Sequence, residues 1–288
     1  MTASAEQSAQ QVALSPLAQE RLAYRRSRAR RSTLVALVST VVFAAAVVVG
    51  LTSAPGWPRV QETFLDLRVG WDSLPAVAAG LWLNVRVLVV AEIGVLLLGL
   101  LIAVLRTLRG PVLFPLRALA TGYVDLFRGI PLLIALYLIG FGVPALRLQG
   151  VPTDTAVLGT ITLILIYSAY VAEVFRAGIE SVHPSQRAAA RSLGLTHRQS
   201  MRLVILPQAV RRVLPPLLND FVALQKDVGL ISVLGAVDAI RAAQIASAQT
   251  FDFTPYVVAA LLFVLLAIPT GRIADAVAAR ANRRQGLA

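Results

Sequence analysis

Cysteine is absent from the 288 residues, so neither a disulfide framework nor a thiolate metal site is available. Charge is scarce too: Asp, Glu, Lys and Arg supply 15% of the chain, against about 25% in an average soluble domain. Histidine occurs only at His183 and His197, in a basic stretch without a carboxylate cluster, so no metal ligands and no catalytic set are expected. Neither a His-Glu-x-x-His zinc motif nor a Gly-rich phosphate loop ending in Lys-Ser/Thr is present. What fills the chain instead is apolar, with a hydrophobic fraction of 57%. A soluble domain of this length cannot hide so much apolar surface, and lipid is the expected solvent. The net charge of +12 fits nucleic acid or, in a membrane chain, arginine placed in loops on one side.

A helix needs about 20 mostly apolar residues to cross the hydrocarbon layer. Candidate crossings fall at residues 34–56, 80–105, 120–142, 155–172, 216–237 and 256–271. The second carries Arg86 and Glu92, the third Asp125 and Arg128 near its start, and the fifth is interrupted by Asp220, Lys226 and Asp227. Helices satisfy their own backbone hydrogen bonds, so these segments imply an all-α membrane protein of about six transmembrane helices. The chain then divides into a basic tail over 1–32, a first crossing over 33–55 and an outer segment over 56–79. A core of five crossings follows over 80–272, with a loop over 176–212 and a basic tail over 273–288.

Arginine placement orients the bundle. Of the 27 basic residues, only Arg59, Arg68, Arg147 and Arg241 fall in the loops of one side. Opposite them lie the groups around Arg21 to Arg31, Arg106 to Arg117, Arg176 to Arg212 and Arg272 to Arg284. The positive-inside rule puts both termini in the cytoplasm of a bacterial inner-membrane protein, and an even number of crossings demands the same. The basic start is no cleavable signal, because its apolar stretch is too long and begins too late. The first 20 residues read as a mobile tail. Trp57, Trp71 and Trp82 suit anchoring at the outer interface. Residues 57–79 suggest a short amphipathic helix there, with Phe64, Leu65 and Leu67 against lipid or a protein partner.

The loop between the fourth and fifth crossings has an organisation of its own. Ser185, after Pro184, can cap a short helix that ends at Gly194 in a left-handed conformation. Thr196-His197-Arg198-Gln199 has the form of a capping box opening a second helix, expected to stop before Pro207. Arg187 and Arg191 share one helical face, as do Arg198 and Arg202. Charge alone would make this a solvated basic loop, and a DNA-reading helix-turn-helix is improbable between two membrane crossings, so no nucleic-acid partner is expected.

These residues resemble a family signature. Ala188-Ala189-Ala190, three residues, Gly194, nine residues, then Val204-Ile205-Leu206-Pro207 is similar to the cytoplasmic motif of binding-protein-dependent ABC importer permeases, which reads Glu-Ala-Ala, three residues, Gly, nine residues, Ile-x-Leu-Pro. Ala188 stands where that motif has glutamate. Asp125-Leu126-Phe127-Arg128-Gly129-Ile130-Pro131-Leu132-Leu133 and the stretch from Tyr170 to Ile179 resemble the polar amino-acid (His/Glu/Gln-type) branch. Lys226-Asp227-Val228-Gly229-Leu230 departs from the branch's Lys-Asp-Thr-Ser-Leu. The resemblance spans residues 80–270. It implies a type I importer permease bundle and a coupling helix to an ATPase at Arg187, Ala188, Ala189, Ala190, Arg191, Ser192 and Gly194. The implied partners are two ATPase subunits holding ATP-Mg, a second permease subunit as homo- or heterodimer, and an extracytoplasmic binding protein. This chain then needs no cofactor and no ATPase site of its own.

Ionisable residues at membrane depth are costly and are functional candidates. Lys226, Asp227, Asp220 and Glu92 are candidates for the translocation pathway, with Lys226 either ion-paired in the bundle or facing a solute carboxylate. Asp125 with Arg128, and Glu173 with Arg176, are three apart and suit gating or structural pairs. The expected function is translocation of amino acids or related small polar solutes. The alternatives are an ABC permease for another solute or an ion-coupled secondary transporter, which would usually show a repeated bundle. A membrane-embedded enzyme would need a nucleophile and base, or a zinc set, at depth.

Overall fold

The computed structural model describes residues 16–108 and 110–283. The expected tail over residues 1–15, Arg109 and Arg284 lie outside the described residues, as do the side chains of Arg187 and His197. Every regular element among the described residues is helical. The chain divides into two units near residue 61.

The first unit carries α1 (Pro16–Thr52), whose stretch Arg31–Thr52 has a mean hydropathy of 2.7 and is long enough to cross a bilayer. The helix starts well before the expected crossing. The Leu, Ala, Arg, Glu and Gln residues ahead of the apolar run are good helix formers, so the basic segment extends the helix rather than forming a tail.

The second unit begins within α2 (Trp57–Phe64) and holds α3 (Leu67–Thr107), α4 (Phe114–Gly129), α5 (Leu132–Ala145) and α6 (Thr155–Glu180). Next come α7 (Pro184–Ser192), α8 (His197–Ser200), a π-helical turn (Met201–Ile205) and α9 (Leu206–Asp227). A 3₁₀ segment (Val228–Leu234), α10 (Ala239–Thr250) and α11 (Thr254–Arg283) complete it. Among the described residues four helices are long and apolar enough to cross a membrane, and the total reaches six when two bent pairs are each taken as one span. One pair is α4 with α5, bent by 107°; the other joins Arg198–Leu234 to α10 at 49°.

Several expected boundaries move. The second crossing starts at Leu67 rather than residue 80, because Asp66 caps the helix by accepting from the Arg68 and Val69 N–H groups at 2.8 and 3.1 Å. The third is no single rod: Pro131 cannot continue the α4 hydrogen-bond ladder, and the chain turns there. The sixth continues past residue 272 to Arg283.

The core forms where α3 and α6 pack together. Buried residues of α3 recur at Val77, Gly80, Asn84, Val87, Ala91, Val95, Gly99 and Ile102, one stripe at helical spacing. Its other faces present Val89, Val90, Ile93, Leu97 and Leu101 outward, as a lipid-facing surface does. Lipid gives no hydrophobic drive for helix association, so close packing of small residues must supply it. A Cβ at Gly94 would stand 2.6 Å from Ile164 Cδ1, and one at Gly99 would stand 2.8 Å from Val171 Cγ1. Gly80 is tighter still, since a Cβ there would meet the Asp238 backbone at 2.4 Å.

Candidate functional site

The loop after α6 folds into a hard elbow. Pro184 occupies the first position of α7, where its missing N–H costs nothing and its fixed φ fits the helix. The cap therefore moves two residues upstream, from the expected Ser185 to His183. His183 is the N-cap, with Nδ1 accepting from the Ser185 N–H at 3.2 Å and lying 2.7 Å from Ser185 Oγ. At the other end Gly194 has φ +73°, and a Schellman arrangement closes the helix: Gly194 N–H donates to Arg191 O at 2.9 Å and Leu195 N–H to Ala190 O at 3.1 Å. An added Cβ at Gly194 would meet nothing within 4 Å, so the requirement for glycine is conformational. The capping box forms as expected. Gln199 N–H donates to Thr196 Oγ1 at 3.3 Å, and Gln199 Oε1 accepts from the Thr196 N–H at 2.9 Å.

Pro207 does not end the second helix. Leu206 N–H reaches back to Met201 O, five residues away, and this π register removes the clash that Pro207 would cause in an α ladder. The chain runs on into α9. Behind the elbow, Val182, Ile205 and Ala209 form a buried cluster with Ile179 and Met201 against it. An Arg212 guanidinium hydrogen bond to Ser181 O ties α9 to the end of α6. Ala190 turns inward and is buried, whereas Ala188, Ala189, Arg191, Ser192 and Leu193 remain on the surface. The exposed side thus offers the small residues Ala188, Ala189 and Ser192 beside Arg191 and Leu193, backed by a buried cluster.

Glu173 and Arg176 do pair, and the node is larger than the sequence suggested. Glu173 Oε2 accepts from Arg106 Nη1 of α3 at 2.7 Å and from Arg176 Nε at 3.2 Å, while Arg176 Nη1 reaches Glu180 Oε2 at 2.6 Å. Arg106 was legible only as a loop charge. Asp125 and Arg128, by contrast, make no ion pair with each other among the described residues. Both are exposed, and Arg128 lies 5.6 Å from the centre of the Tyr170 ring.

The α4–α5 bend opens a cavity of about 420 Å³. Its wall includes Arg128 and the Gly129-Ile130-Pro131 break, Tyr167 and Tyr170 of α6, and Asp220 and Asp227 of α9. Non-helical backbone is tolerated at membrane depth where it lines a cavity, as here. Asp220 and Asp227 are two helical turns apart and so share a face of α9. Asp227 Oδ2 accepts the Tyr167 hydroxyl at 2.7 Å; Asp220 Oδ2 is buried with no hydrogen-bond partner. Glu92 of α3 lies within electrostatic reach of Asp220. The structure places Lys226 elsewhere. It lines a second cavity of about 330 Å³ with Gln225, Ile240, Phe263, Val264 and Ala267, so it does not join its neighbour Asp227.

Asn84 and Asp238 form a buried junction; the sequence marks Asn84 as a polar residue at membrane depth but not its partner. Asn84 Nδ2 donates to Asp238 Oδ2 at 2.9 Å and to Val228 O at 3.2 Å, and its Oδ1 accepts from the Ala239 N–H at 3.1 Å. The available signal was an amide inside an otherwise apolar crossing.

Outside the membrane core, Trp71 and Trp82 are exposed as anchoring requires. Phe64, Leu65 and Leu67 are exposed too, and Phe64 also stacks on Phe253 with ring centres 5.3 Å apart.

Comparison with known proteins agrees with this geometry. Residues 95–283 match the model of the binding-protein-dependent transport system inner membrane component family. The chain is 36% identical over 208 residues to a probable glutamine ABC transporter permease protein, GlnM, of Bacillus subtilis, covering 71% of this chain and 93% of the relative. It is 31% identical over 207 residues to the arginine transport system permease protein ArtQ of the same organism, covering 71% and 91%. Among solved structures, an amino acid ABC transporter superposes with a TM-score of 0.69 at 33% identity, covering 75% of this chain and 99% of that one. The MetNI methionine transporter matches in fold, with a TM-score of 0.57 at 19% identity. A multi-pass bundle of the type I importer fold, with the spaced elbow motif built on a buried support, therefore belongs to the inner-membrane components of binding-protein-dependent transport systems: the chain is an ABC transporter permease.

Proposed function

We propose that the chain forms the solute path of an ATP-driven importer for amino acids, with both termini and the α7 elbow in the cytoplasm. A binding protein delivers solute from outside, a second permease subunit completes the path, and two ATPase subunits bind ATP-Mg. Each ATPase holds one coupling helix in a groove, and their closure on ATP carries the helices together and rocks the bundles. The observation that carries this reading is the elbow: a short helix locked at both ends, with Ala188 and Ala189 exposed for close contact and Arg191 at the rim to steer an acidic partner. The curated relatives support amino acids as the solute class, since their names cite glutamine and arginine. The 420 Å³ cavity is of the size that small-ligand sites occupy, about 300–1,000 Å³.

The test is reconstitution into proteoliposomes with and without the ATPase subunits. Amino-acid uptake is expected to require both ATP and those subunits. Gly194→Val forces a β-branched residue into a left-handed position, at a local cost of roughly 1–2 kcal/mol. It should abolish uptake while leaving membrane insertion intact. Uptake driven by an ion gradient without any ATPase, or full activity of the valine variant, would refute the reading.

A further inference from the structure

We propose that a cavity at the Asp66 end of α3 holds an acyl chain of a phospholipid whose head carries a primary ammonium, of the phosphatidylethanolamine class. The cavity has a volume of about 350 Å³ and lies between the first turns of α3 and those of α11. Gly70, Trp71 and Leu74 line it from α3, and Val258, Leu261 and Leu262 from α11. Of its lining residues only Asp66 and Thr254 carry side-chain oxygens. From Thr254 to Leu262 is roughly 12 Å along the helix axis, less than half of the hydrocarbon layer, so the cavity belongs to one leaflet. Trp71 is 75% exposed there, which suits the level where head groups meet tails.

Two opposite charges stand at this end of α3, and neither neutralises the other. Asp66 lines the cavity. Its Oδ1 is occupied as the helix cap, accepting from the Arg68 and Val69 N–H groups, while Oδ2 takes no hydrogen bond among the described residues. Arg68, two residues on, is exposed, and its guanidinium joins none of the ion pairs among those residues. The Asp66 N–H donates to Thr254 Oγ1 at 3.0 Å, which fixes the mouth of the cavity to both helices. Within lipid, a tail that enters an apolar cavity trades one apolar surface for another and gains little, so the head selects the occupant. A phosphate beside an ammonium is the complementary pair: the phosphate accepts from Arg68, and the ammonium donates to Asp66 Oδ2. A quaternary ammonium head has no N–H to give. An anionic head without a nitrogen leaves Asp66 facing a like charge.

The test uses the full-length chain in lipid nanodiscs, with brominated acyl chains as contact quenchers of tryptophan. The chain has three tryptophans. Trp57→Phe with Trp82→Phe leaves Trp71 to report on the cavity. Trp57→Phe with Trp71→Phe leaves Trp82, which is exposed on α3 and does not line this cavity, to report on the surrounding lipid. Brominated phosphatidylethanolamine is titrated into a phosphatidylcholine background. Quenching of Trp71 should reach half its maximum at a mole fraction at least about threefold lower than that of Trp82, a modest ratio for charge-assisted hydrogen bonds in competition with water. Brominated phosphatidylglycerol should show no such separation. Asp66→Asn keeps the cap but removes the charge, and should bring the two reporters together. If that variant does not insert, the ranking of the three heads by Trp71 in the otherwise unmodified chain decides. Equal quenching of Trp71 by all three heads, or strongest quenching by phosphatidylglycerol, overturns the proposal and leaves ordinary lipid contact. Absence of quenching at Trp71 overturns it in favour of a protein segment filling the cavity.

Discussion

At the scale of single residues, the costliest groups in this chain are polar atoms without access to water. Asn84 and Asp238 are both fully buried, and each satisfies the other. Asp238 Oδ1 also caps α10 by accepting from the Arg241 N–H at 2.9 Å, so one carboxylate fixes both a helix start and its approach to α3. Replacing Asn84 by Ala strands Asp238 Oδ2 and the Ala239 N–H in an apolar setting, a loss of about 2–3 kcal/mol. The thermal unfolding midpoint of Asn84→Ala should fall clearly below that of the parent in the same detergent; an unchanged midpoint would show the junction to be dispensable. The sequence reveals that Asn84 and the intramembrane acids are out of place, because any polar group in a 20-residue apolar run is. It conceals their partners: Asn84 and Asp238 are 154 positions apart, and Arg106 and Glu173 are 67 apart. Such pairings belong to the fold, not to any window of residues.

At the scale of elements, local chemistry was readable and long-range geometry was not. Gly194 as terminator and Thr196 with Gln199 as capping box are rules satisfied within a few residues, and both hold. Pro207 looked like a stop because a proline deletes one α-register hydrogen bond, but a single π turn absorbs that defect and keeps the rod continuous. A π turn is in effect an α-helix with one residue added. Deleting Leu203, which is exposed, should return this turn to the α register and bring back the clash of the Pro207 ring with the preceding turn, disturbing the joint between the elbow and α9. The variant is expected to insert and to bind solute while losing ATP-dependent uptake; retained uptake would show that the register is immaterial. Hydropathy also counted the third crossing as one rod. An average over a window is blind to a 107° turn, and that turn creates the cavity.

At the scale of the whole molecule, the number and nature of the crossings were legible because lipid imposes the same length on every span. The limits of each span were not, since helices continue into water wherever good formers follow. Absence of cysteine makes the proposed orientation directly measurable. Leu67 and Leu193 are 89% and 80% exposed, at opposite ends of the crossing pattern. A single cysteine at position 67 should react with an impermeant maleimide in intact spheroplasts. One at position 193 should react only in inverted vesicles, and the reverse pattern would turn the topology over.

Length gives α3 a mechanical meaning. Its 41 residues measure roughly 60 Å, about twice the oily layer, a length that reaches beyond a bilayer, with Asp66 capping one end and Arg106 in the last turn of the other. A tilt of about 5° around its middle swings each tip by about 2.6 Å, in opposite senses. One tip packs Gly70 against Thr254, and the other holds Glu173 through Arg106. Any tilt of this rod therefore moves both of its ends at once, with no diffusible messenger passing between them.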